Sequence, residues 1–414
     1  MRIKPFKAYR PVPELAPKVA FSPNNLMNDH LRKEEARKNP YSFAHIIKPR
    51  IDFPNESDKN NQQLFDHARS YFEKLVREGA LVRDEVPGMY VYRQTMNEHA
   101  QTGLICCSHI DDYLEGRIKK HEHTRADKES ENVLHIKSTQ LNSNPVFLAY
   151  PPVEEIDKEI LLITQTRKPD YQFDSELGVL QEVWIIQDSA LLQLLSGLFE
   201  TKVPVSYIAD GHHRAAAAAL HAKQVALESR SESGFRDYNY FQTCYFPSNQ
   251  LKIYDYNRLV RDLNKLSVKE FLSKLEEHFE VTIANRIPYA PKKLHCFGMY
   301  LKDTWYKLKA KDGSYSNDPL GTLDVTILQN NILNPLLGIQ DSRTDKRIDF
   351  IAGVKGLSPL EKAVNKGKSD VAFSLFPVTM EQLFAIADMG EVMPPKSTWF
   401  EPKLLSGLII FRME

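Results

Sequence analysis

The stretch Val203-Pro-Val-Ser-Tyr-Ile-Ala-Asp210-Gly-His-His-Arg214-Ala-Ala-Ala-Ala-Ala-Leu220 joins an apolar extended run to a polar five-residue box and then to a strong helix former. Val205, Tyr207 and Ile208 favour a buried strand, Gly211 allows dihedrals closed to other residues, and the alanine run has the highest intrinsic helix propensity. The segment predicts a strand, a tight turn and a helix N-terminus, with Asp210 as the N-cap. The free N–H groups of the first turn, the positive end of the helix dipole and the Arg214 guanidinium would then converge on one small volume, which suits a phosphate.

The chain around this stretch has 414 residues, too many for one ordinary core. We expect residues 1–232 to hold one core and residues 233–414 a C-terminal α/β portion whose tail packs back on that core. The polar run Glu228-Ser-Arg-Ser-Glu-Ser-Gly234 marks the boundary. Lysine plus arginine (54) balance aspartate plus glutamate (54), so no overall positive field favours nucleic acid, and none is expected as a partner. The four cysteines include no CxxC pair and suit neither a disulfide framework nor a structural zinc site, which fits a reducing cytoplasm. No run of about 18 apolar residues exists to span a bilayer. The oligomeric state is left open.

Taken in order, the chain predicts a helix over Leu31 to Lys38, stopped by Asn39-Pro40, a strand over Ser42 to Ile47 and a helix over Asn61 to Gly79. Tyr90 to Arg93 and Gly103 to Cys107 should pair as a hairpin. Val146 to Tyr150, Ile160 to Thr164 and Val183 to Ile186 read as strands, and Ser189 to Phe199 as a helix. Beyond the alanine helix come a strand at Phe241 to Phe246, helices at Tyr256 to Lys265 and Val268 to Phe279, and a hairpin from Cys296 to Leu308. Helices near Leu320 to Leu333, Pro359 to Lys366 and Thr379 to Met389 and strands at Val371 to Phe376 and Gly407 to Phe411 complete a mixed α/β (α+β) pattern, a mixed sheet with flanking helices.

A second polar cluster, Lys120-His121-Glu122-His123-Thr124-Arg125, precedes a helix that Thr124 and Asp127 would cap. If extended, it turns His121 and His123 to one side and Glu122 to the other. Its ordinary reading is a solvated helix start; its functional reading places His121, Glu122 and Arg125 beside the central box. Several motifs are missing. Lys396-Ser397-Thr398 has no Gly-x-x-x-x-Gly before it, Arg125 stands where a zinc protease needs the second histidine, and no Gly-x-Ser-x-Gly or Gly-x-Gly-x-x-Gly occurs. A Walker ATPase, a zincin, an α/β-hydrolase and an ordinary Rossmann dehydrogenase all lose support. In the box, an aspartate beside bound phosphate needs a reason: Asp210 would hold magnesium, cap the helix or take a proton from an incoming hydroxyl. His213 and Arg214 would neutralise charge on a transferred group.

Ile3 to Pro11, Asn39-Pro-Tyr-Ser-Phe43, Tyr92-Arg-Gln94, Gln101-Thr-Gly103, Lys120 to Arg125, Ala209 to Arg214, Tyr256-Asn-Arg258 and Met393-Pro-Pro-Lys-Ser-Thr-Trp-Phe-Glu-Pro-Lys403 together resemble the bacterial domain-of-unknown-function 1015 family over nearly the whole chain. The last of these is the most specific. The Asp-Gly-His-His-Arg box is also similar to the ParB/sulfiredoxin superfamily, and most of all to archaeal free serine kinases within it. That resemblance implies a ParB/sulfiredoxin-like nucleotide-binding core, ATP or ADP with magnesium, and phosphorylation of a small hydroxylated metabolite, with free serine the favoured acceptor. Asp210, His212, His213 and Arg214 carry over onto matching letters, with Asp210 and His213 as catalytic residues, Asp210 also as the metal ligand, and Gly211, His212 and Arg214 as cofactor contacts; His121, Glu122, Arg125 and Lys396 are candidates from elsewhere in the chain to close the site, Glu122 as a catalytic residue and the other three as cofactor contacts. The catalytic glutamate of the serine kinases has no matching position. The chain also reads Ser22-Pro-Asn-Asn-Leu26 where the family pattern is close to Ser-Pro-Tyr-Asp-Val, and Arg50 where an acidic residue is usual. Two other readings stay open: a nucleotide-dependent regulatory switch or adaptor, and a metal-dependent hydrolase built on the histidine pair.

Overall fold

The structure is a computed structural model that describes every residue except 23–28, 55–59, 143, 229–236 and 286. The chain forms two compact units, residues 1–251 with 402–414, and residues 252–401. The division expected after residue 232 and most of the departure expected at Ser22 to Leu26 lie outside the described residues. Strand Tyr240–Pro247 is hydrogen-bonded between Val146–Tyr150 and His99–His109 in the first unit, and so precedes the change of unit.

The mixed α/β class predicted from the sequence is what forms. In the first unit the described strands make a mixed sheet in the order Ile118–Lys119, Ser206–Asp210, Val146–Tyr150, Tyr240–Pro247, His99–His109, Met89–Met96, Leu180–Ile186 and Tyr171–Asp174, with Ile3–Lys4 also on His99–His109. Two pairings are parallel, Ile118–Lys119 with Ser206–Asp210 and Val146–Tyr150 with Tyr240–Pro247. The hairpin between Met89–Met96 and His99–His109 turns at Asn97, which takes the left-handed conformation (φ 55°) that asparagine tolerates better than most residues. Leu104, Leu148, Ile208 and Tyr245 of the sheet are buried with Ile156 and Ile160 of helix Glu154–Thr166, Leu195 and Phe199 of helix Ser189–Lys202 and Ala215 and Ala219 of helix His212–Glu228. A second cluster joins Phe43, Ile46, Phe72, Leu75 and Leu81 to Ile410 of the returning C-terminal segment. That segment is anchored by backbone bridges Phe21 to Ser406 and Tyr9 to Ile410.

The second unit is a six-stranded antiparallel sheet in the order Phe279–Asn285, Thr304–Ala310, Cys296–Leu301, Val371–Leu375, Tyr256–Val260 and Ile348–Ala352. Helix Ser358–Asn365 adds Leu360 to a core that includes Leu259, Tyr300, Trp305 and Ala372. No helix among the described residues is long and apolar enough to cross a membrane.

Several predicted elements change type. Ser42 to Ile47 is not a strand but contains the short helix Ala44–Ile47, packed against helix Asn61–Arg77. Ile160 to Thr164 is the end of helix Glu154–Thr166, in which Ile156, Ile160 and Ile163 bury one face and the first turn carries Glu154, Glu155 and Asp157. Tyr256 to Lys265 is strand Tyr256–Val260: its five residues are all buried between two neighbouring strands, and sheet pairing overrides its helical look. The long helix expected from Leu320 shortens to Asp324–Leu328 and a π-turn at Gln329–Leu333, and the last strand shortens to Phe411–Arg412.

Candidate functional site

Strand Ser206–Asp210 leads into helix His212–Glu228 through Gly211, as the sequence predicts, but Asp210 is not the cap. The first helical hydrogen bond, from Ala215 N–H, goes to the Gly211 carbonyl, so Gly211 holds the capping position. Asp210 ends the strand after a register shift between Ile208 and Asp210, which frees the carboxylate from the face on which Ile208 is buried. Gly211 has φ +103°, and a Cβ there would lie 2.8 Å from an Arg214 nitrogen. Only glycine lets the Arg214 side chain fold back across the turn.

That folding sets the charge arrangement. Arg214 donates to Asp210 Oδ2 (2.7 Å) and to the Pro145 carbonyl (2.9 Å), while Lys403, 193 residues further on, donates to Asp210 Oδ1 (2.7 Å). Burial alone would raise the Asp210 pKa, but Lys403 and Arg214 outweigh it and hold the carboxyl well below the usual carboxylate range. Burial lowers the pKa of the Arg214 guanidinium, against the pull of Asp210.

Asp210 and Arg214 border a cleft of about 390 Å³. Helix Ala126–Thr139 supplies Lys128, Glu131, Asn132 and His135, at the spacing of one helical face; Asn144 and Ser406, 2.9 Å apart, add polar groups, and Ile47 and Phe65 an apolar wall. A cleft of this size that mixes apolar walls with a few fixed polar groups matches small-ligand sites.

The other expected residues do not line this cleft. His121 and His212 are buried, with ring centroids 4.5 Å apart and edge to face. Burial lowers the His121 pKa to about 4 and takes His212 well below its ordinary value, so both are neutral near pH 7. The His121 N–H points to His212 Nε2 at 3.5 Å, which puts the His212 proton on Nδ1, 3.8 Å from Glu122. His123 is exposed although His121 is buried, so the expected alternation fails. His213 Nδ1 faces the Arg125 N–H at 3.4 Å, and the Arg125 side chain, 71% exposed, pairs with Asp127 at 2.7 Å. The predicted cap fails too: Arg125 occupies the N-cap position without a side-chain cap, and the Thr124 hydroxyl bonds to Glu129. None of His121, Glu122, Arg125, His212 or His213 is among the residues that line the cleft.

Lys396 belongs to the second unit, where its ammonium lies 5.6 Å from the Tyr256 ring centroid and its carbonyl accepts from Arg258. Lys403, seven residues on in the same Pro-Pro-Lys to Glu-Pro-Lys stretch, is the lysine that meets Asp210. The expected segment therefore does reach Asp210, through Lys403 and not through Lys396. A further cluster was not foreseen: Asp52 bridges His45 and His67, each at 2.7 Å, beneath the Tyr71 ring stacked on His45.

Magnesium does not fit Asp210 as it stands, because both carboxylate oxygens already accept from cations. Among the described residues no group of three or more His, Cys, Asp or Glu could hold a metal ion.

Residues 3–326 match the family model described as "Protein of unknown function (DUF1015)". No curated protein matches the chain by sequence. Among solved structures it is similar to a conserved hypothetical protein from Pyrococcus furiosus (14% identity over 73% of this chain and 94% of that one, TM-score 0.34). It is similar as well to a mutant free serine kinase in complex with AMP (14%, 73% and 91%, TM-score 0.36) and to a C-terminally truncated SbnI from Staphylococcus aureus (11%, 72% and 82%, TM-score 0.36). Likenesses this distant assign no activity.

Proposed function

Because the chain belongs to the DUF1015 family, whose description assigns no activity, we propose its function from the site: a nucleotide-dependent phosphotransferase acting on a small hydroxylated metabolite, with free serine the favoured acceptor. The observation that carries this reading is the Asp210–Arg214 pair on the wall of the cleft, with Lys403 bonded to the other oxygen of Asp210 and a glycine that leaves room for the arginine. Two cations fixed by one carboxylate and a backbone carbonyl are a preorganised clamp for phosphoryl oxygens, and such clamps stabilise the charge that develops in transfer. ATP or ADP would enter as the phosphoryl donor.

In this scheme Asp210 positions the cations. A carboxylate whose pKa is depressed by two salt bridges is a poor proton acceptor, so the base is another group. His121 and His212, buried and neutral, pack behind the turn and keep its backbone in place.

The test is calorimetric titration of the full chain with ATP and ADP, with and without magnesium, followed by phosphorus NMR in a pool of hydroxylated metabolites that includes serine. A new phosphomonoester from wild type and none from Arg214→Ala supports the proposal. Absence of nucleotide binding sinks it, and tight binding without turnover in any pool replaces it with the switch or adaptor reading.

A further inference from the structure

Lys403 reaches Asp210 from residues 402–405, which belong to no strand, so their carbonyls look to side chains for partners. Two glutamines meet them. Gln101 donates to the Pro402 carbonyl (3.2 Å) and Gln94 to the Lys403 carbonyl (3.0 Å). Gln94 and Gln101 stand directly opposite each other on strands Met89–Met96 and His99–His109, and Gln181 of Leu180–Ile186 stands opposite Gln94 on its other side. The three form a row across three adjacent strands, each 1% exposed or less. Within the row Gln101 donates to Gln94 Oε1 (3.0 Å), Gln94 to Gln181 Oε1 (3.1 Å) and Gln181 to the Val179 carbonyl (3.1 Å). The amide nitrogens of Gln94 and Gln101 thus give one hydrogen to the row and the other to the C-terminal segment. Flipping either amide would set oxygen against oxygen on both sides, so the row runs in one direction.

We propose that this glutamine row is the positioning device of the cation clamp: it fixes the backbone at Pro402 and Lys403 so that the Lys403 ammonium stands on Asp210, and Gln94 and Gln101 act on the site only through Lys403. The catalytic side of this inference rests on the phosphotransferase reading, whereas its geometric side does not. Three buried amides are a demanding way to fill a core, because every polar atom needs a partner, and methionine of similar volume packs without that demand. A head-to-tail chain of amides polarises each successive bond. Here it holds the first two residues with which the chain returns to the first unit. Lysine carries its charge on a flexible four-carbon stem, so fixing the backbone beneath it lowers the entropy lost in keeping the ammonium on one oxygen. Lys403 is a main cause of the lowered Asp210 pKa, and its displacement would therefore be read at Asp210. The same segment carries a control: Gln242, also fully buried, donates to the Ile409 carbonyl at 2.8 Å, well past Lys403.

The test follows the Asp210 carboxyl against pH by carbon-13 NMR of the full chain labelled at aspartate, assigned with Asp210→Asn, beside calorimetry with ATP and ADP. Gln94→Met and Gln101→Met remove an amide at nearly constant volume, and Gln94→Asn keeps the amide but draws it back by one methylene. In each variant the Asp210 titration should move up toward the ordinary carboxylate range, by at least roughly half the rise that Lys403→Met produces, and nucleotide affinity should fall about 10-fold. Combined with Lys403→Met, Gln94→Met should cause no further loss of affinity. Gln242→Met removes a bond of the same kind and should lower the melting midpoint while leaving the Asp210 titration in place. An Asp210 titration at its wild-type position in the row variants, one moved as far by Gln242→Met, or fully additive losses in the double variant overturn the inference. If Asp210 responds as expected but wild type binds no nucleotide, the row keeps its role in placing Lys403 and the phosphotransferase reading falls alone.

Discussion

Asp210 in the first unit and Asp324 in the second are both set at the start of a helix, and their carboxyl groups behave in opposite ways. Asp210 is about a third exposed and held by two cations, which keep it ionised far into acid. Asp324 is buried, accepts one hydrogen bond from the His295 backbone at 2.8 Å, and has Oδ2 without a partner among the described residues. Burial pushes its pKa up to about 7. The difference teaches that position on a helix does not set the charge state of an aspartate; the neighbours brought in by distant sequence do.

The largest expected effect is on Asp324. The folded state keeps its proton to about pH 7 and the unfolded chain releases it near 3.8, so the folded state binds more protons between these values and stability falls as pH rises through that window, by up to about 4 kcal/mol. Denaturant titrations from pH 4 to 8 should show this slope in the second unit, and Asp324→Asn should flatten it and exceed wild type in stability at pH 8. Asp210 works the other way: its contribution is complete above the ordinary carboxylate range and is lost only as the pH falls through its lowered folded value. Removing it, in Asp210→Ala, leaves Lys403 and Arg214 facing each other without a counter-charge. The side chain is 36% exposed, so solvent screening should limit the cost to about 1–3 kcal/mol, below that of breaking a fully buried pair. A thermal melt that leaves the Asp210→Ala midpoint at the wild-type value would erase the contrast.

Gly211→Ala tests the turn between these charges. Its positive φ and the 2.8 Å approach to Arg214 predict a loss of about 1–2 kcal/mol together with weaker nucleotide binding, both readable by melting and calorimetry. The smallest effect belongs to Arg125, which pairs with Asp127 in solvent: Arg125→Ala should change stability by less than about 0.5 kcal/mol and leave nucleotide affinity alone. A large drop in affinity would return Arg125 to the site from which the structure separates it.

Much of the fold was legible because it rests on local rules. The hairpin at Asn97, the cap of helix Asn61–Arg77 by Asn60 and Gln63, and the strand-glycine-helix at Asp210 each carry their signal within a few residues. The misread segments are those whose signal is not local. Tyr256–Val260 is helical in look and a strand because two strands flank it, and Ile160 to Thr164 is apolar enough for a strand but belongs to a helix begun by Glu154 and Glu155. The site divides in the same way. Asp210, Gly211 and Arg214 stand together because they are neighbours in sequence, whereas Lys403 carries no local mark that separates it from the many other charged residues of a chain this size.

By itself, the sequence determined the mixed α/β class, the turn at Gly211 and the family to which the chain belongs, because propensity, capping and motif act over a few residues. The tertiary structure alone decided that Lys403 rather than Lys396 meets Asp210 and that His121 and His212 are buried and neutral. Coulomb energy and desolvation depend on distances through space, and those distances are set only when segments far apart in the chain pack together.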